Sequence, residues 1–127
     1  MSDSTYRGSR MQRTMYGNNA FEWEWINPPM MRGYEFRTIE RFNTHPVYTM
    51  LVDCGSMPNA ESKIIAHGCA AISMIRCFGT TNLGATIPYR WNDSYLAVSA
   101  DRTNIHISTN TDFSGQTCMV QLWYTKT

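Results

Sequence analysis

Residues 46–54 have the sequence PVYTMLVDC, in which apolar side chains recur at every second position. One face of this stretch would carry Tyr48, Met50, Val52 and Cys54. The opposite face would carry Val47, Thr49, Leu51 and Asp53. Successive side chains of a β-strand point to opposite sides of its sheet, so a period of two predicts a strand here.

The last residues of the chain repeat this pattern. Residues 117–124, TCMVQLWY, place on one face Cys118, Val120, Leu122 and Tyr124. Because the other face also carries large side chains, we expect this strand to be covered on both sides. Weaker alternations predict strands at 34–41, 63–66, 94–100 and 103–108. The last two would form a hairpin that turns at Ala100-Asp101-Arg102, with Leu96 and Val98 facing Ile105 and Ile107.

The segment that follows residue 66 is ambiguous. Gly68 predicts a bulge or a tight bend after His67. The apolar run at 70–78 contains several good helix formers, so a helix over 69–77 stays open as an alternative. The Ile and Cys content of this run and the glycines that flank it favour a strand.

These strands, with no helix between them, predict an all-β fold, an antiparallel β-sandwich of the jelly-roll-like kind. A chain of 127 residues is expected to form one domain. The aromatic segment at 21–25 suits a short half-buried strand, with Phe21, Trp23 and Trp25 on its apolar face, and Asn27-Pro28-Pro29 ends it. We therefore predict an N-terminal arm or connector over residues 1–29 and the β-sandwich domain over residues 30–127.

Composition excludes several classes of function. The net charge is +1, and the one dense basic stretch is Arg7, Arg10 and Arg13, so nucleic-acid binding is not expected. No apolar run approaches the ~18 residues of a membrane helix, and residues 1–5 have no apolar core, so neither membrane insertion nor a secretory signal is predicted. The four cysteines contain no C-x-x-C pair, which favours buried reduced thiols and predicts no metal and no cofactor.

Catalytic patterns are missing from the sequence. It contains no G-x-S-x-G elbow, and His67 with Cys69 is poorly spaced for a nucleophilic pair, so we expect a structural role for His67. Four acids stand beside turn-forming residues, which predicts that they cap turns rather than act as a catalytic pair: Asp53, Asp93, Asp101 and Asp112. The chain is therefore predicted not to be an enzyme.

One loop has the composition of a recognition surface. It combines aromatic, cationic, amide and acidic side chains, which sugar-binding and protein-binding surfaces use: Tyr89, Arg90, Trp91, Asn92 and Asp93. The alternative is that Tyr89 and Trp91 pack onto the sandwich or into a subunit interface.

Local strings in fixed order resemble a known family. Residues 22–30 (EWEWINPPM), 34–41 (YEFRTIER), 45–49 (HPVYT), 53–59 (DCGSMPN), 66–68 (AHG), 103–105 (TNI) and 120–126 (VQLWYTK) are similar to successive segments of bacteriophage and prophage tail-fibre proteins. The likeness covers residues 20–127 and is to the C-terminal domain of these minor tail, receptor-binding proteins. Cys54 departs from the pattern, in which this position is usually aromatic.

The resemblance implies a virion component made in the host bacterial cytoplasm. Such a domain lies at the distal end of a homotrimeric fibre and serves host attachment, commonly by binding surface polysaccharide. The partners expected are further copies of the chain, other virion proteins and the bacterial receptor. Phe21, Trp23 and Trp25 are predicted near the subunit or virion contact.

Other functions stay open at this stage. The short N-terminal part suggests, as an alternative, a capsid decoration or short head-fibre protein anchored through its N-terminal arm, and an excised fragment is also possible. A hydrolase acting on surface polysaccharide is a third hypothesis, which we do not expect.

Overall fold

A computed structural model describes residues 8–16 and 20–127. In this part of the chain every regular element is a β-strand, as the sequence predicts, and there is no helix. The strands are β1 (Met11–Tyr16), β2 (Ala20–Trp25), β3 (Glu35–Phe42), β4 (His45–Ser56), β5 (Ser62–Ala66), β6 (Ser73–Thr81), β7 (Thr86–Ile87), β8 (Tyr89–Trp91), β9 (Ser94–Ala100), β10 (Asn104–Thr109) and β11 (Thr117–Thr125).

The strands form two sheets with a shared core. One sheet has the order β1-β2-β3-β4-β11-β6-β7 and the other the order β5-β10-β9-β8. The core cluster takes side chains from both sheets, including Val120, Leu122 and Tyr124 from the first and Leu96 and Ile107 from the second. The architecture is therefore sandwich-like, which confirms the predicted class at this level.

The prediction of a wholly antiparallel fold is wrong for the larger sheet. β2 pairs with β3 in the parallel sense at Trp25 and Thr38, and an isolated parallel bridge joins Arg32 to Leu51. The chain travels back along the sheet over residues 26–34, so β3 runs in the same direction as β2. The remaining pairings between strands are antiparallel in the part of the chain described.

The two strongest sequence patterns lie side by side as β4 and β11. Val52 is opposite Val120, and Tyr48 is opposite Tyr124. The face of β11 formed by Cys118, Val120, Leu122 and Tyr124 is fully buried, as expected. The opposite face is covered only in part, because Gln121 and Thr125 are buried whereas Met119 is exposed.

The predicted strands in the middle of the chain are confirmed. Residues 73–81 form β6 and pair with β11, so a helix over 69–77 is not what the chain adopts. The predicted β9–β10 hairpin forms, with Val98 opposite Ile107. Leu96 and Ile105 have other partners than predicted, because Leu96 is opposite Thr109 and Ile105 is opposite Ala100.

The bend at His67 has the predicted structural character. Gly68 has φ +72°, in the left-handed region that favours glycine. The ring of His67 is buried, and its Nδ1 accepts the Cys69 N–H at 3.0 Å. Its Nε2 therefore carries the proton and donates to the Asp101 carbonyl at 2.9 Å. Both ring nitrogens serve to hold this bend against the β9–β10 turn.

The N-terminal hairpin of β1 and β2 is attached to the larger sheet. Glu24 is fully buried and accepts hydrogen bonds from Arg37 at 3.0 Å and Arg41 at 2.9 Å. Trp25 is buried and packs edge to face on Phe36, with ring centroids 5.3 Å apart. The expected alternation of an aromatic inner face and an acidic outer face is wrong here, because Glu24 is buried and Trp23 is exposed. The domain boundary at residue 29 stays a prediction.

Candidate functional site

The recognition loop predicted from the sequence is a short hairpin. β8 is the edge strand of the smaller sheet and pairs with β9, Tyr89 with Leu96 and Trp91 with Ser94. Asn92 has φ +53°, a conformation that Asn tolerates better than most residues, so it suits the tight turn between the strands. The structure thus brings all five predicted residues, 89–93, onto one strand and its turn.

A single amide side chain ties this turn to the neighbouring strand. Asn110, directly after β10, accepts the Tyr95 N–H at 2.8 Å and donates its Nδ2–H to the Asp93 carbonyl. Arg90 makes a longer contact from its Nε to the Asn92 carbonyl, at 3.5 Å. Asn110 therefore holds the backbone of the hairpin on the β9 side of the turn.

The aromatic side chains of this hairpin face solvent. Trp91 is 67% exposed and Tyr89 37% exposed, whereas Leu96, opposite Tyr89, is buried. Arg90, Asn92 and Asp93 are exposed as well. The core is complete without Trp91, so packing onto the sandwich does not explain this large apolar side chain. An exposed aromatic ring on a fixed backbone can stack on an apolar ligand surface while the polar side chains beside it form hydrogen bonds.

The three residues predicted near a subunit or virion contact have different environments. Trp25 is buried within the chain, and Trp23 is 60% exposed. The side chain of Phe21 lies outside the described part of the structure. Trp23 and Trp25 line a surface groove of about 810 Å³ together with Ser9, Arg10, Met11 and Ile26. Of the three, Trp23 is thus the side chain that the described structure leaves accessible.

A third aromatic surface was missed by sequence reasoning. Trp123 stacks on Phe78 at a centroid distance of 5.5 Å, and the Arg76 guanidinium lies 4.4 Å from the Trp123 ring centroid. Arg76 also pairs with Glu40 at 2.9 Å. This group lines a groove of about 480 Å³ with Ile39 and Gln121. The sequence signal for this surface was the large side chains on the face of β11 that points away from the core.

Three of the predicted capping acids, Asp93, Asp101 and Asp112, lie between strands, whereas the prediction of a turn is wrong for Asp53, which lies within β4. The Gly55 N–H donates to Asp53 at 3.0 Å and lowers the pKa of that carboxyl. Asp101 accepts from His106 at 3.0 Å and from the N–H groups of Thr103 and Asn104, and these bonds lower its pKa. The hydroxyl and N–H of Ser114 donate to Asp112 and lower the pKa of that carboxyl. Asp93 contributes its carbonyl to the Asn110 contact.

These interactions argue against a general acid among the capping groups. A glycosidase needs one carboxyl with a raised pKa, and Asp53, Asp101 and Asp112 are shifted the other way. Over residues 8–16 and 20–127, no cluster of three His, Cys, Asp or Glu side chains could hold a metal ion. The same residues include no helix of the length and hydropathy required to span a membrane.

Comparison with known proteins gives no match. No family model fits the sequence, and no curated protein and no solved structure is similar to it at a significant level.

Proposed function

We propose that the chain is a host-attachment domain of the bacteriophage tail-fibre type, which binds bacterial surface polysaccharide through the hairpin at residues 89–93. The observation that carries this proposal is the 67% exposure of Trp91 on a hairpin whose backbone is held by Asn110. The ordered string of tail-fibre-like segments along residues 20–127 supports it.

The chemistry of the hairpin suits a sugar. One face of a pyranose ring presents C–H groups that pack on an aromatic ring, and its hydroxyls need donors and acceptors beside that ring. Trp91 supplies the ring, and Asn92 and Asp93 in the adjoining turn supply both donors and acceptors. Arg90 precedes Trp91 on β8 and points to the opposite face of the strand. Because Asn110 holds the backbone, less conformational entropy is lost when a ligand binds.

Assembly into a homotrimer is part of the proposal. Trp23 and its neighbours Ile26 and Met30 are exposed on the N-terminal hairpin and the segment that follows it. A contiguous exposed apolar patch marks an interaction surface, and several copies on one particle multiply a modest affinity for a repetitive polymer. We propose Trp23, rather than the buried Trp25, as the aromatic contact to another copy.

The test is binding of the purified chain to cell-wall polysaccharide from candidate host strains. We expect saturable binding that Trp91→Ala abolishes. Ile64→Ala is the matched control, because Ile64 is 64% exposed on β5 at the opposite edge of the same sheet, and it should bind as the wild type does. Equal binding by wild type and Trp91→Ala would refute the assignment of the hairpin.

The exposed Trp23 also favours a second candidate, a capsid decoration or head-fibre protein that docks on another virion protein. Its test is association of the purified chain with phage capsids lacking it. Tight association that is lost in Trp23→Ala but kept in Trp91→Ala, without binding to any host strain, would select this function over host attachment.

A further inference from the structure

The groove beside Trp123 has a nearly buried amide side chain in its lining. This groove, of about 480 Å³, lies on the face of the larger sheet that points away from the core. Gln121 lines it and is only 7% exposed. The register brings the lining together, because Gln121 is opposite Phe78 and Trp123 is opposite Arg76 on the neighbouring strand. Opposed residues of antiparallel strands point to the same side of the sheet, so these four side chains share one face.

A neighbouring hydroxyl fixes the orientation of the Gln121 amide. The Thr49 hydroxyl donates to the Leu122 carbonyl at 2.8 Å, so its oxygen can only accept from Gln121. The Gln121 Nε2 supplies this bond at 3.1 Å. The carbonyl oxygen Oε1 is therefore on the other arm of the amide, and the hydrogen bonds of residues 8–16 and 20–127 include none to it.

This unpaired oxygen opens into the groove. In the described part of the chain, Thr125 Oγ1 is the one side-chain polar atom that is both sealed from solvent and without a partner. Gln121 Oε1 also lacks a partner, so it is not sealed, and the surface that Gln121 lines is this groove. A nearly buried acceptor of this kind is satisfied by a ligand that brings an N–H or O–H group to it.

The aromatic side of the groove is accessible and held in place. Phe78 is 37% exposed and stacks on Trp123, and the Arg76 guanidinium lies over the Trp123 ring. Both carboxylate oxygens of Glu40 accept from Nη2 of Arg76, at 3.0 and 2.9 Å. Among the described residues only Nη2 takes part in this pair, which leaves the Nε–H and Nη1–H groups of Arg76 as donors. The exposed aliphatic part of the lining consists of Ile26, Met30 and Ile39.

These groups match an acetamido group attached to a sugar ring. The acetamido N–H would donate to Gln121 Oε1, and its carbonyl would accept from Arg76. The methyl group and the C–H face of the ring would pack on Phe78 and the aliphatic lining. The volume lies within the range of about 300–1,000 Å³ that is typical of small-ligand sites. A sugar without the acetamido group would leave the apolar part of the lining poorly used.

We propose that this groove binds an N-acetylated amino sugar. The choice of a sugar over another acylated amine rests on the proposed function, in which the chain binds polysaccharide. The groove lies on the larger sheet and the hairpin at residues 89–93 on the smaller one, so they are separate contacts. Two contacts on each copy increase the avidity for a repetitive polymer.

The test titrates N-acetylglucosamine into the ¹⁵N-labelled full-length chain and follows the NMR signals of the Gln121 side-chain amide and the Trp123 indole N–H. We expect saturable shifts of both signals with a dissociation constant of roughly millimolar order. Glucose, which lacks the acetamido group, should cause no comparable shift. No shift with N-acetylglucosamine, or equal shifts with glucose, would overturn the proposal. So would shifts with N-acetylalanine methylamide alone, which would indicate a peptide ligand.

Variants test the lining directly. Phe78→Ala should weaken N-acetylglucosamine binding by about tenfold. Gln121→Met keeps the length of the side chain without its acceptor and should weaken it similarly. Met119→Ala is the matched control, because Met119 is exposed on the same face of β11 but outside the lining of this groove, and it should bind as the wild type does. Phe78 is partly exposed, so its variant provides the test even if Gln121→Met does not fold. Unchanged binding in Phe78→Ala would overturn the proposal.

Trp91→Ala separates this inference from the proposed function. It should lose binding to host polysaccharide yet keep the N-acetylglucosamine shifts at Gln121. Shifts at Gln121 without polysaccharide binding to any host strain would support the groove and refute host attachment. Because Ile26 and Met30 also belong to the proposed contact between copies, the titration uses the assembled chain. An assembly that shows no shift, and whose mass falls in Phe78→Ala, would mean that another copy covers the groove and would overturn the proposal.

Discussion

Arg37 donates its Nε–H to Glu24 at 3.0 Å, and the carboxylate that accepts this bond is completely buried. Arg41 pairs with the same carboxylate at 2.8 Å. A buried carboxylate is stable only when it is paired and hydrogen-bonded, so the N-terminal hairpin and β3 depend on each other at this point.

Replacing this carboxylate should destabilise the whole fold. Removing one partner of a buried ion pair costs about 3–5 kcal/mol of unfolding free energy, and we expect Glu24→Gln to fall in this range. Denaturant unfolding measures it. Glu40→Gln is the control, because its pair with Arg76 is about half exposed and such pairs contribute about 0–1 kcal/mol. Equal small effects of the two substitutions would indicate that the hairpin is an arm independent of the sandwich.

The two faces of β11 should respond differently to truncation. Leu122 is fully buried, and Leu122→Ala is expected to lower the unfolding free energy by about 2–5 kcal/mol. Met119 is exposed on the opposite face, and Met119→Ala should change it by no more than about 0.5 kcal/mol. The same denaturant titration compares them, and a large loss in Met119→Ala would mean that the strand faces are assigned wrongly.

Asp101 should make the unfolding free energy depend on pH in the acidic range. Its pKa is lowered in the folded chain by the bonds from His106 and from the turn N–H groups. The stabilisation is thus present at pH values above the pKa that Asp101 has in the unfolded chain. It is lost as the pH falls toward the lower pKa that Asp101 has in the folded chain. We expect the stability difference between wild type and Asp101→Asn to shrink as the pH falls from about 6 to about 2. Thermal unfolding across this range measures it, and a difference independent of pH would contradict the assignment.

Asn110 should influence binding without touching the ligand. Asn110→Ala removes the two hydrogen bonds that hold the 92–93 turn, each worth about 0.5–1.5 kcal/mol. If this rigidity assists polysaccharide binding, the affinity should fall by up to about tenfold. Titration of polysaccharide into wild type and variant provides the comparison. Unchanged affinity would show that the fixed backbone contributes nothing.

Much of the sandwich is predictable because period-two patterning depends on burial of one face. β4 and β11 were found this way, since Val52 and Val120 lie in runs where each second side chain enters the core. At residues 89–93 the composition predicts a loop and leaves open whether Trp91 faces solvent or is packed, and the structure shows a hairpin with Trp91 exposed. It lies at an edge strand that the core does not need, so residue chemistry there is not masked by packing.

The features that escaped prediction depend on long-range partners. Glu24 looks like a solvent-facing residue in sequence, and its burial requires two arginines that come thirteen and seventeen positions later. The stack of Trp123 on Phe78 joins strands far apart in the chain. The bulge at Cys54 is a one-residue irregularity between β4 and β11, which leaves no periodic signal.

β11 occupies the middle of the larger sheet, between β4 and β6, yet it is the last of these strands in the chain. During synthesis, the edges of β4 and β6 that pair with β11 therefore stay unpaired until residues 117–125 have left the ribosome. Formation of the complete sheet is consequently a late step that joins residues far apart in the chain. A nascent chain halted before β11 would have two unpaired strand edges, which promote aggregation and chaperone binding.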